Sequence, residues 1–404
     1  MKKICLSLLL LFPFSWGGES TATWIADDTD PWPHRIEIEV QSSQVDANLT
    51  DYPVYVDLSD LPQAFWEDSD GAGTDDVEPT ESQIRITKSD GTTEVPFEIT
   101  NFNDAGTTGT GELHFKADGT LSSSSNTSFY IYYGNTSSAS YAEDYNPYGS
   151  EYVWDSNYKG IWHFDESDVN NIQDSTNNDA DEDTAATSEA THTDAIMDKG
   201  YDLDGSNDSI IINDPTGSPL SPTSALQFEM WFKADTIGSD VLLGFRQNST
   251  SAGYGFWFWS SNLRAQIGSS GWTDLAYALT NINTGTWYHA VGNWDGSTYK
   301  MYVNGTEVVS DTYGGSQSYS GGTQMTIGKR APQQDYFDGI IDEVRVSDTA
   351  RSSGWISTQY NNQNSPGTFY TMGTEEDKPA SGPGKRKAMM ISEALPLILS
   401  ILKF

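Results

Sequence analysis

The chain is poor in cysteine, histidine and positive charge. Its 404 residues contain one cysteine and five histidines, and 21 Lys and Arg face 58 Asp and Glu, for a formal net charge of −37. Because Cys5 is the only thiol, the rest of the chain can form neither disulfides nor a thiolate metal site. A surface this acidic repels phosphate backbones and anionic lipid and attracts divalent cations, so no nucleic-acid partner is expected.

The two ends of the chain differ in composition from the middle. A basic start, Met1-Lys2-Lys3, precedes an apolar run over residues 4–14 that is too short to span a bilayer. This pattern predicts a secretory signal peptide over residues 1–22, and hence a secreted or cell-surface location. Residues 375–404 read as a linker and a basic, apolar tail without a transmembrane span. A disordered tail and a weak contact with a membrane surface both fit it.

The first region is rich in alternating apolar and polar residues. Residues 36–40 (IEIEV) and 52–58 (YPVYVDL) have the period of half-buried strands. Asp90-Gly91 separates two further runs of this kind and predicts a hairpin, since both residues tolerate positive φ. At least six strands in about 110 residues predict a β-sandwich.

A family resemblance accompanies this pattern. Trp32-Pro33-His34-Arg35, the run LTDYPVYVDLSDLP (49–62), the run IRITKSDGTTEVPFEI (84–99) and FYIYYGN (129–135) stand in this order. Together they resemble the domain-of-unknown-function 2341 family over residues 30–148. The resemblance implies a β-sandwich of secreted or surface proteins and implies no chemistry.

The second region carries the clearest local signal. Residues 287–309 form three alternating runs joined by Asp295-Gly296 and Asn304-Gly305, which predicts an antiparallel meander with two tight turns. About a dozen strands are expected in this region, and the pattern shows no helical period longer than one or two turns. These features predict a jelly-roll sandwich, and hence an all-β chain of two sandwiches.

Five blocks of the second region resemble a known group. They are GIWHFDES (160–167), YDLDGSNDSIII (201–212), FEMWFKAD (228–235), TWYHAVGNWDGSTYKMYVNG (286–305) and FDGIIDEVRVSDTARS (337–352). In order and spacing they resemble the laminin-G-like group of concanavalin A-like lectin and glucanase domains over residues 150–374. The resemblance implies a jelly roll, frequent calcium binding, and recognition of glycans or proteins. Some relatives of the wider fold are glycosidases.

Residue patterns for catalysis are missing from the sequence. Glycoside hydrolysis needs paired carboxylates about 5–10 Å apart, and the Glu-x-Asp-x-x-Glu pattern of laminarinase-like relatives does not occur. Asp342 and Glu343 are adjacent, so regular alternation would point them to opposite faces. No histidine belongs to a zinc motif or follows a serine elbow, and His163 and His289 read as ordinary strand residues. The sequence therefore predicts a non-catalytic protein.

Calcium is the cofactor that the resemblance implies. In the laminin-G-like group, a loop after the first strand and an acidic residue of the last strand commonly share the ion. The matching residues here are Asp174, Asn177 and Asp342. The loop lacks the usual glycine and is about two residues shorter than the pattern. A solvated acidic loop is the alternative, because calcium needs several oxygen ligands in one place.

Aromatic residues are the candidates for ligand binding. In the run GYGFWFW (253–259), alternation sends Trp257 and Trp259 to one face, and one of the two faces must be core. Tyr313 and Tyr319 lie in or beside a glycine- and serine-rich loop, a composition typical of recognition loops.

Three classes of function remain open. The first is a secreted or cell-surface binding protein that recognises an extracellular glycan or other polymer, assisted by calcium. The second is a structural adhesion component that contacts a surface protein. The third is a glycoside hydrolase with an unrecognised pair of acids.

Overall fold

The fold was analysed on a computed structural model. It describes residues 24–25, 32–66, 81–135, 147–183, 190–214, 219–238, 240–246, 253–260, 262–268, 272–315, 317, 319, 324–330 and 335–379. The predicted signal peptide, residues 1–22, and the tail from residue 380 onward lie outside the described residues. No helix in the described ranges combines the length and the apolarity that a bilayer crossing requires.

The first sandwich is built from seven strands and a short helix. The helix is α1 (Gln63–Trp66), and the strands are β1 (His34–Val40), β2 (Leu49–Asp57), β3 (Arg85–Lys88), β4 (Glu94–Val95), β5 (Phe97–Asp104), β6 (Gly109–Leu121) and β7 (Thr127–Tyr133). Strands β1, β7, β3 and β4 form sheet A, and β2, β6 and β5 form sheet B. The predicted hairpin is confirmed: β3 pairs antiparallel with β4, and Gly91 in the turn has a φ of +70°.

Alternation decides which side chains fill the first core. Ile36, Ile38 and Val40 of β1 are buried, whereas Glu37 and Glu39 point away from the core. They meet Val54 and Phe115 from sheet B in one apolar cluster. The predicted first sandwich is therefore present. Its resemblance to the domain-of-unknown-function 2341 family stays a prediction.

Strands of the second region form two larger sheets. Their bounds are β8 (Tyr158–Trp162), β9 (Thr191–Asp194), β10 (Lys199–Asp204), β11 (Ile210–Asn213), β12 (Leu226–Ala234), β13 (Val241–Arg246), β14 (Gly253–Trp259), β15 (Asn262–Gly268), β16 (Trp272–Ala278), β17 (Trp287–Trp294), β18 (Thr298–Val303), β19 (Thr306–Thr312), β20 (Gln324–Ile327), β21 (Lys329–Arg330), β22 (Asp335–Tyr336) and β23 (Asp338–Ser347). Sheet C has the order β19-β18-β17-β12-β23-β10-β9, with β8 paired to β23. Sheet D has the order β11-β20-β13-β14-β15-β16, and β21 pairs with β22.

The second core lies between sheets C and D, so the expected second β-sandwich is confirmed. Phe228 and Phe232 of β12 pack there with Phe256 of β14 and Trp162 of β8. The predicted meander is present as β17, β18 and β19. Asn304 and Gly305 in its last turn have φ values of +50° and +71°. Those positive values are what a two-residue hairpin turn requires.

The C-terminal segment departs from the sequence-based expectation. Residues up to 374 are predicted to belong to the second sandwich, with a linker from 375. The structure instead returns this segment to sheet A. It contains helices α2 (Ser353–Asn364) and α3 (Pro366–Phe369) and strands β24 (Tyr370–Met372) and β25 (Glu376–Asp377), and both strands pair with β1.

Helix α2 escapes sequence analysis because four of its six buried side chains are polar. Ser352 caps its N-terminus by accepting a hydrogen bond from the N–H of Trp355. The side chains it buries include Thr358, Gln359, Asn362 and Gln363, which have no apolar period. Trp355 and Ile356 pack into apolar clusters, and hydrogen bonds to both sandwiches hold the polar side chains of this face.

Sheets B and C face one another through the sides that point away from their own cores. The ring of His114 on β6 lies 4.6 Å from the ring of His163 after β8, measured between centroids. Trp154 donates from Nε1 to Glu98 of β5 at 2.8 Å. The molecule therefore stacks its sheets in the order A, B, C, D, with a polar layer between the two sandwiches.

Substitution of Asn362 by Ala tests how α2 is held. The Asn362 side chain accepts the N–H of Tyr55 and donates to the carbonyl of Tyr55, both at 2.8 Å, and so continues sheet B beyond edge strand β2. Loss of a buried group that satisfies two backbone atoms is expected to lower the free energy of unfolding by about 1–3 kcal/mol. Urea unfolding measures this change. Asn364→Ala, on the exposed side of the same helix, is the control. Equal effects of the two substitutions would contradict this account.

Candidate ligand-binding face

The side of sheet D that points away from the core is decided by strand β14. Tyr254, Phe256 and Phe258 pack into the core between the sheets. Strict alternation then places Trp257 and Trp259 on the opposite side. Trp257 is only 6% exposed, whereas Trp259 is 48% exposed. The sequence left open which face is core, and the structure assigns it to the tyrosine and phenylalanine side chains.

A row of residues with two glycines, called here the trough, runs across this side of the sheet. Directly paired residues of antiparallel strands share a face, and one such row contains Thr326, Gly244, Gly255, Gln266 and Asp274. The two glycines leave the floor of the row without side chains. Gly255 has no room for one, because a Cβ there would lie 2.2 Å from the carbonyl oxygen of Leu243.

Polar groups border the glycines. Arg264, which pairs with Trp257, donates from Nη1 to Oδ2 of Asp274. Among the described residues, Gln266 Oε1 and Asp274 Oδ1 are buried without a hydrogen-bond partner. We call the surface formed by Trp259, Arg264, Gln266, Asp274 and the two glycines the trough face. It combines an exposed aromatic ring with a partly exposed ion pair.

The other two aromatic residues predicted to bind ligand pack against the core. The ring of Tyr319 meets Phe245 and Tyr254 edge-on, and its hydroxyl donates to the carbonyl of Pro222 at 2.6 Å. Tyr313 packs edge-on against Trp294. Both rings lie against the core of the second sandwich and not on the trough face. Loop composition does not reveal this, because it carries no information on where a side chain points.

The predicted calcium ligands occupy different surroundings. The Asp174 carboxylate accepts hydrogen bonds from the N–H groups of Ile161, Thr176 and Ala180 and from the Thr176 hydroxyl. These four bonds use about all the lone pairs that a carboxylate offers. Asn177 is exposed. A calcium ion bound by Asp174 would have to displace some of these bonds, and the calcium site stays a prediction.

Asp342 and Glu343 differ from the sequence-based expectation. Ile341 and Val344 both face the core, and the register of β23 against β12 shifts between them. Glu343 has a φ of +50°, so a β-bulge interrupts the alternation. Both carboxylates therefore lie on the side of sheet C that meets sheet B, where Asp342 accepts the N–H of Met197 at 3.0 Å. The prediction of opposite faces was wrong because adjacent residues at a bulge can share a face.

A buried cluster at the junction was missed altogether. His163, read from the sequence as an ordinary strand residue, contacts Glu343 through Nδ1 and lies 3.6 Å from Oε2 of Glu98 through Nε2. Burial alone would lower the pKa of His163, but Glu343 and Glu98 raise it well above the ordinary value. These three residues come from three separate segments, so no spacing in the sequence marks them.

Glu182 gives the second sandwich a pH-dependent stability. Its Oε2 accepts the N–H of Ile172 at 3.4 Å. Burial raises its pKa to about 7, and the charges of Asp168 and Asp183 act in the same direction. The ordinary pKa is 4.5. The contribution of neutral Glu182 to the free energy of unfolding is therefore complete below about pH 4.5 and is lost as the pH rises through 7. The loss is expected to be on the order of 2 kcal/mol.

Glu182→Gln is expected to flatten the decline of thermal stability between pH 5 and pH 8, because glutamine accepts the same hydrogen bond without titrating. Differential scanning calorimetry at several pH values measures this slope. Glu307→Gln is the control, since Lys300 holds the pKa of Glu307 below its ordinary value, outside this range. An unchanged slope in Glu182→Gln would contradict the assignment.

Comparisons with known proteins bear on the second sandwich. Residues 204–357 match the model of a family described as the concanavalin A-like lectin/glucanases superfamily. This confirms the resemblance of the second region over those residues, which are less than half of the chain. The comparison with curated proteins gives no match.

Several solved structures are similar in part. The binding domain of Paraclostridial Mosquitocidal Protein 1 is 12% identical, with a TM-score of 0.43 over 50% of this chain and 52% of that one. Domain 4 of AbnA, an extracellular GH43 arabinanase from Geobacillus stearothermophilus solved with arabinotriose, is 20% identical, with a TM-score of 0.42 over 51% and 98%. The botulinum neurotoxin serotype D binding domain is 12% identical, with a TM-score of 0.43 over 53% of each chain. This chain thus spans about half the length of the two toxin domains, and similarity at this level carries no argument about function.

Proposed function

We propose that the chain is a secreted or cell-surface binding protein whose trough face recognises an extracellular glycan. The observation that carries the proposal is the exposed indole of Trp259 on the same side of sheet D as the partly exposed ion pair of Arg264 and Asp274. A sugar ring presents an apolar C–H face and a rim of hydroxyl groups. An aromatic ring covers the first, and oxygen acceptors and a guanidinium bind the second.

The shape of the surface supports a polymer over a small molecule. The trough runs across neighbouring strands β20, β13, β14, β15 and β16, so its residues follow one line. The family match of residues 204–357 supports the same reading, since the family's description includes lectins. Secretion and calcium dependence are part of this proposal and rest on the sequence.

A binding survey tests the proposal. The purified chain without residues 1–22 is applied to insoluble polysaccharides and to a glycan array, once with calcium and once with a chelator. Selective binding to one glycan class is the expected result, and loss on chelation with recovery on added calcium would support the calcium site at Asp174, Asn177 and Asp342. Selective binding that chelation leaves intact would retain the glycan proposal and remove calcium from it.

The two other functions are distinguished by the same survey. Absence of binding under both conditions would overturn the glycan proposal and favour a structural adhesion component that contacts other proteins. Release of soluble sugar from any bound polysaccharide would reveal a glycoside hydrolase. The chain is proposed to be non-catalytic, because the acids clustered between the sandwiches, such as Glu112, Glu229 and Glu343, are buried and do not line an open cleft.

A further inference from the structure

Four metal-ligating side chains converge between the two sandwiches. Glu112 and His114 stand two residues apart on β6, on the face that points away from the first core. His163 follows β8, and Glu343 lies at the bulge of β23. Each of the four offers one ligand atom such that all four atoms lie within 4.8 Å of one another. Two ligands therefore come from each sandwich.

Several of these side chains have unused ligand atoms. Glu112 Oε1, His114 Nδ1 and His163 Nε2 are buried and have no hydrogen-bond partner among the described residues. Buried polar atoms without partners are uncommon in folded proteins, and each one needs a physical reason. Three of them at one place show that the described residues leave this cluster incompletely satisfied.

Acidic side chains outnumber basic ones in this layer. Glu98, Glu112, Glu229, Asp342 and Glu343 are all buried there. Arg345 bonds to Glu343, and His163 contacts Glu343 and lies 3.6 Å from Glu98. Buried charged groups are normally paired or bound to a metal, and a divalent cation would fit among these acids.

We propose that Glu112, His114, His163 and Glu343 form a closed structural site for one divalent transition-metal ion of the zinc class, which joins the two sandwiches. Two imidazoles and two carboxylates suit zinc and its neighbours, whereas calcium and magnesium take oxygen ligands alone. His114 Nε2 and Glu112 Oε2 lie 3.3 Å apart, close to the roughly 3.4 Å edge of a tetrahedron with bonds of about 2.1 Å.

The surroundings match those of a structural site. All four side chains are almost fully buried, so no position is open to substrate, as is usual where zinc is structural. Arg345 orients Glu343 through a hydrogen bond of 2.8 Å. Trp154 in turn orients Glu98, which faces the second nitrogen of His163. Such outer partners are typical of metal sites and fix the direction of the ligands.

Metal titration of the full chain tests the site. The chain is freed of metal by unfolding in chelator, refolded, and titrated with Zn²⁺ and with Co²⁺. The expected result is one equivalent of tightly held ion per chain, a visible tetrahedral Co²⁺ spectrum, and a Tm several degrees higher with metal than without. Absence of a stoichiometric ion in this wild-type experiment would overturn the proposal without any variant.

Matched variants locate the ion. Glu112→Gln and His163→Gln, one from each sandwich, are expected to lose the Co²⁺ spectrum and the stabilisation by metal. Two histidines serve as controls: His289→Gln changes a buried histidine of the same layer, and His34→Gln changes the partly exposed cluster of His34, Glu375 and Asp377, where ligand atoms also converge. Both controls should keep the ion. Retention of the ion in Glu112→Gln and His163→Gln, or its loss in His34→Gln alone, would contradict the assignment. Glycan binding is measured on the same samples, so the two proposals can fail separately.

Discussion

Replacing Arg345 with Met is expected to lower the free energy of unfolding by about 3–5 kcal/mol. Arg345 is almost completely buried and donates from Nε to Oε2 of Glu343 at 2.8 Å. It also lies 4.0 Å from Oε1 of Glu229, and its guanidinium covers the ring of Trp154 at 4.9 Å. One cation therefore serves two buried acids.

The size of the effect follows from the acids that the substitution leaves behind. Burial raises the pKa of Glu229, which Arg345 opposes, and burial acts against an ionised Glu343 as well, whose pKa Arg345 and His163 hold below the ordinary value. Methionine fills a similar volume, so the loss of charge dominates over the loss of packing. An acid that stays buried without its partner costs several kcal/mol, and protonating it instead costs free energy at neutral pH.

Urea unfolding at pH 7, followed by tryptophan fluorescence, measures this change. Lys300→Met is the matched control, because Lys300 forms an exposed ion pair with Glu307 on sheet C and should lose less than about 1 kcal/mol. Unfolding of Arg345→Met within 1 kcal/mol of the wild type would show that the buried acids are already neutral or held by another cation.

Trp259→Ala is expected to weaken binding of the selected glycan about 30-fold. Removal of an exposed aromatic anchor from a binding surface commonly costs about 2 kcal/mol, which corresponds to this factor. Because Trp259 is 48% exposed and does not belong to the core, the substitution should leave the thermal stability nearly unchanged. Isothermal titration calorimetry with a soluble oligosaccharide of that class measures both affinity and stoichiometry.

Tyr152→Ala is the control for this experiment. Tyr152 is 43% exposed and is, like Trp259, a large aromatic side chain at the surface. It precedes β8 and lies outside sheet D. Unchanged binding in Trp259→Ala, or an equal loss in Tyr152→Ala, would place the glycan elsewhere on the surface.

Local patterns were sufficient for most of the strands. The alternation of residues 36–40, the Asp90-Gly91 turn and the meander of residues 287–309 all appear as predicted, because half-buried strands and two-residue turns depend on neighbours a few positions away. The same reasoning separated the two faces of β14 without deciding which one is core.

Elements held by distant polar partners were not predictable in this way. Helix α2 buries amides that bond across to Tyr55, Glu229 and Trp231, and strand β25 depends on Arg35 for its contact with sheet A. The bulge at Glu343 breaks the period from which the faces of Asp342 and Glu343 were inferred. In each case the deciding contact joins residues more than a hundred positions apart.

The amino-acid sequence by itself determined the all-β class, the two sandwiches, the main turns and the strongly acidic surface, since composition and short-range periodicity specify these properties. Only the tertiary structure decided that the C-terminal segment returns to the first sandwich, that Trp259 and not Tyr313 or Tyr319 is exposed, and that His114, His163 and a group of buried acids share the layer between the sandwiches. The physical reason is that burial and charge pairing arise from the docking of whole sheets, which no local window of the sequence contains.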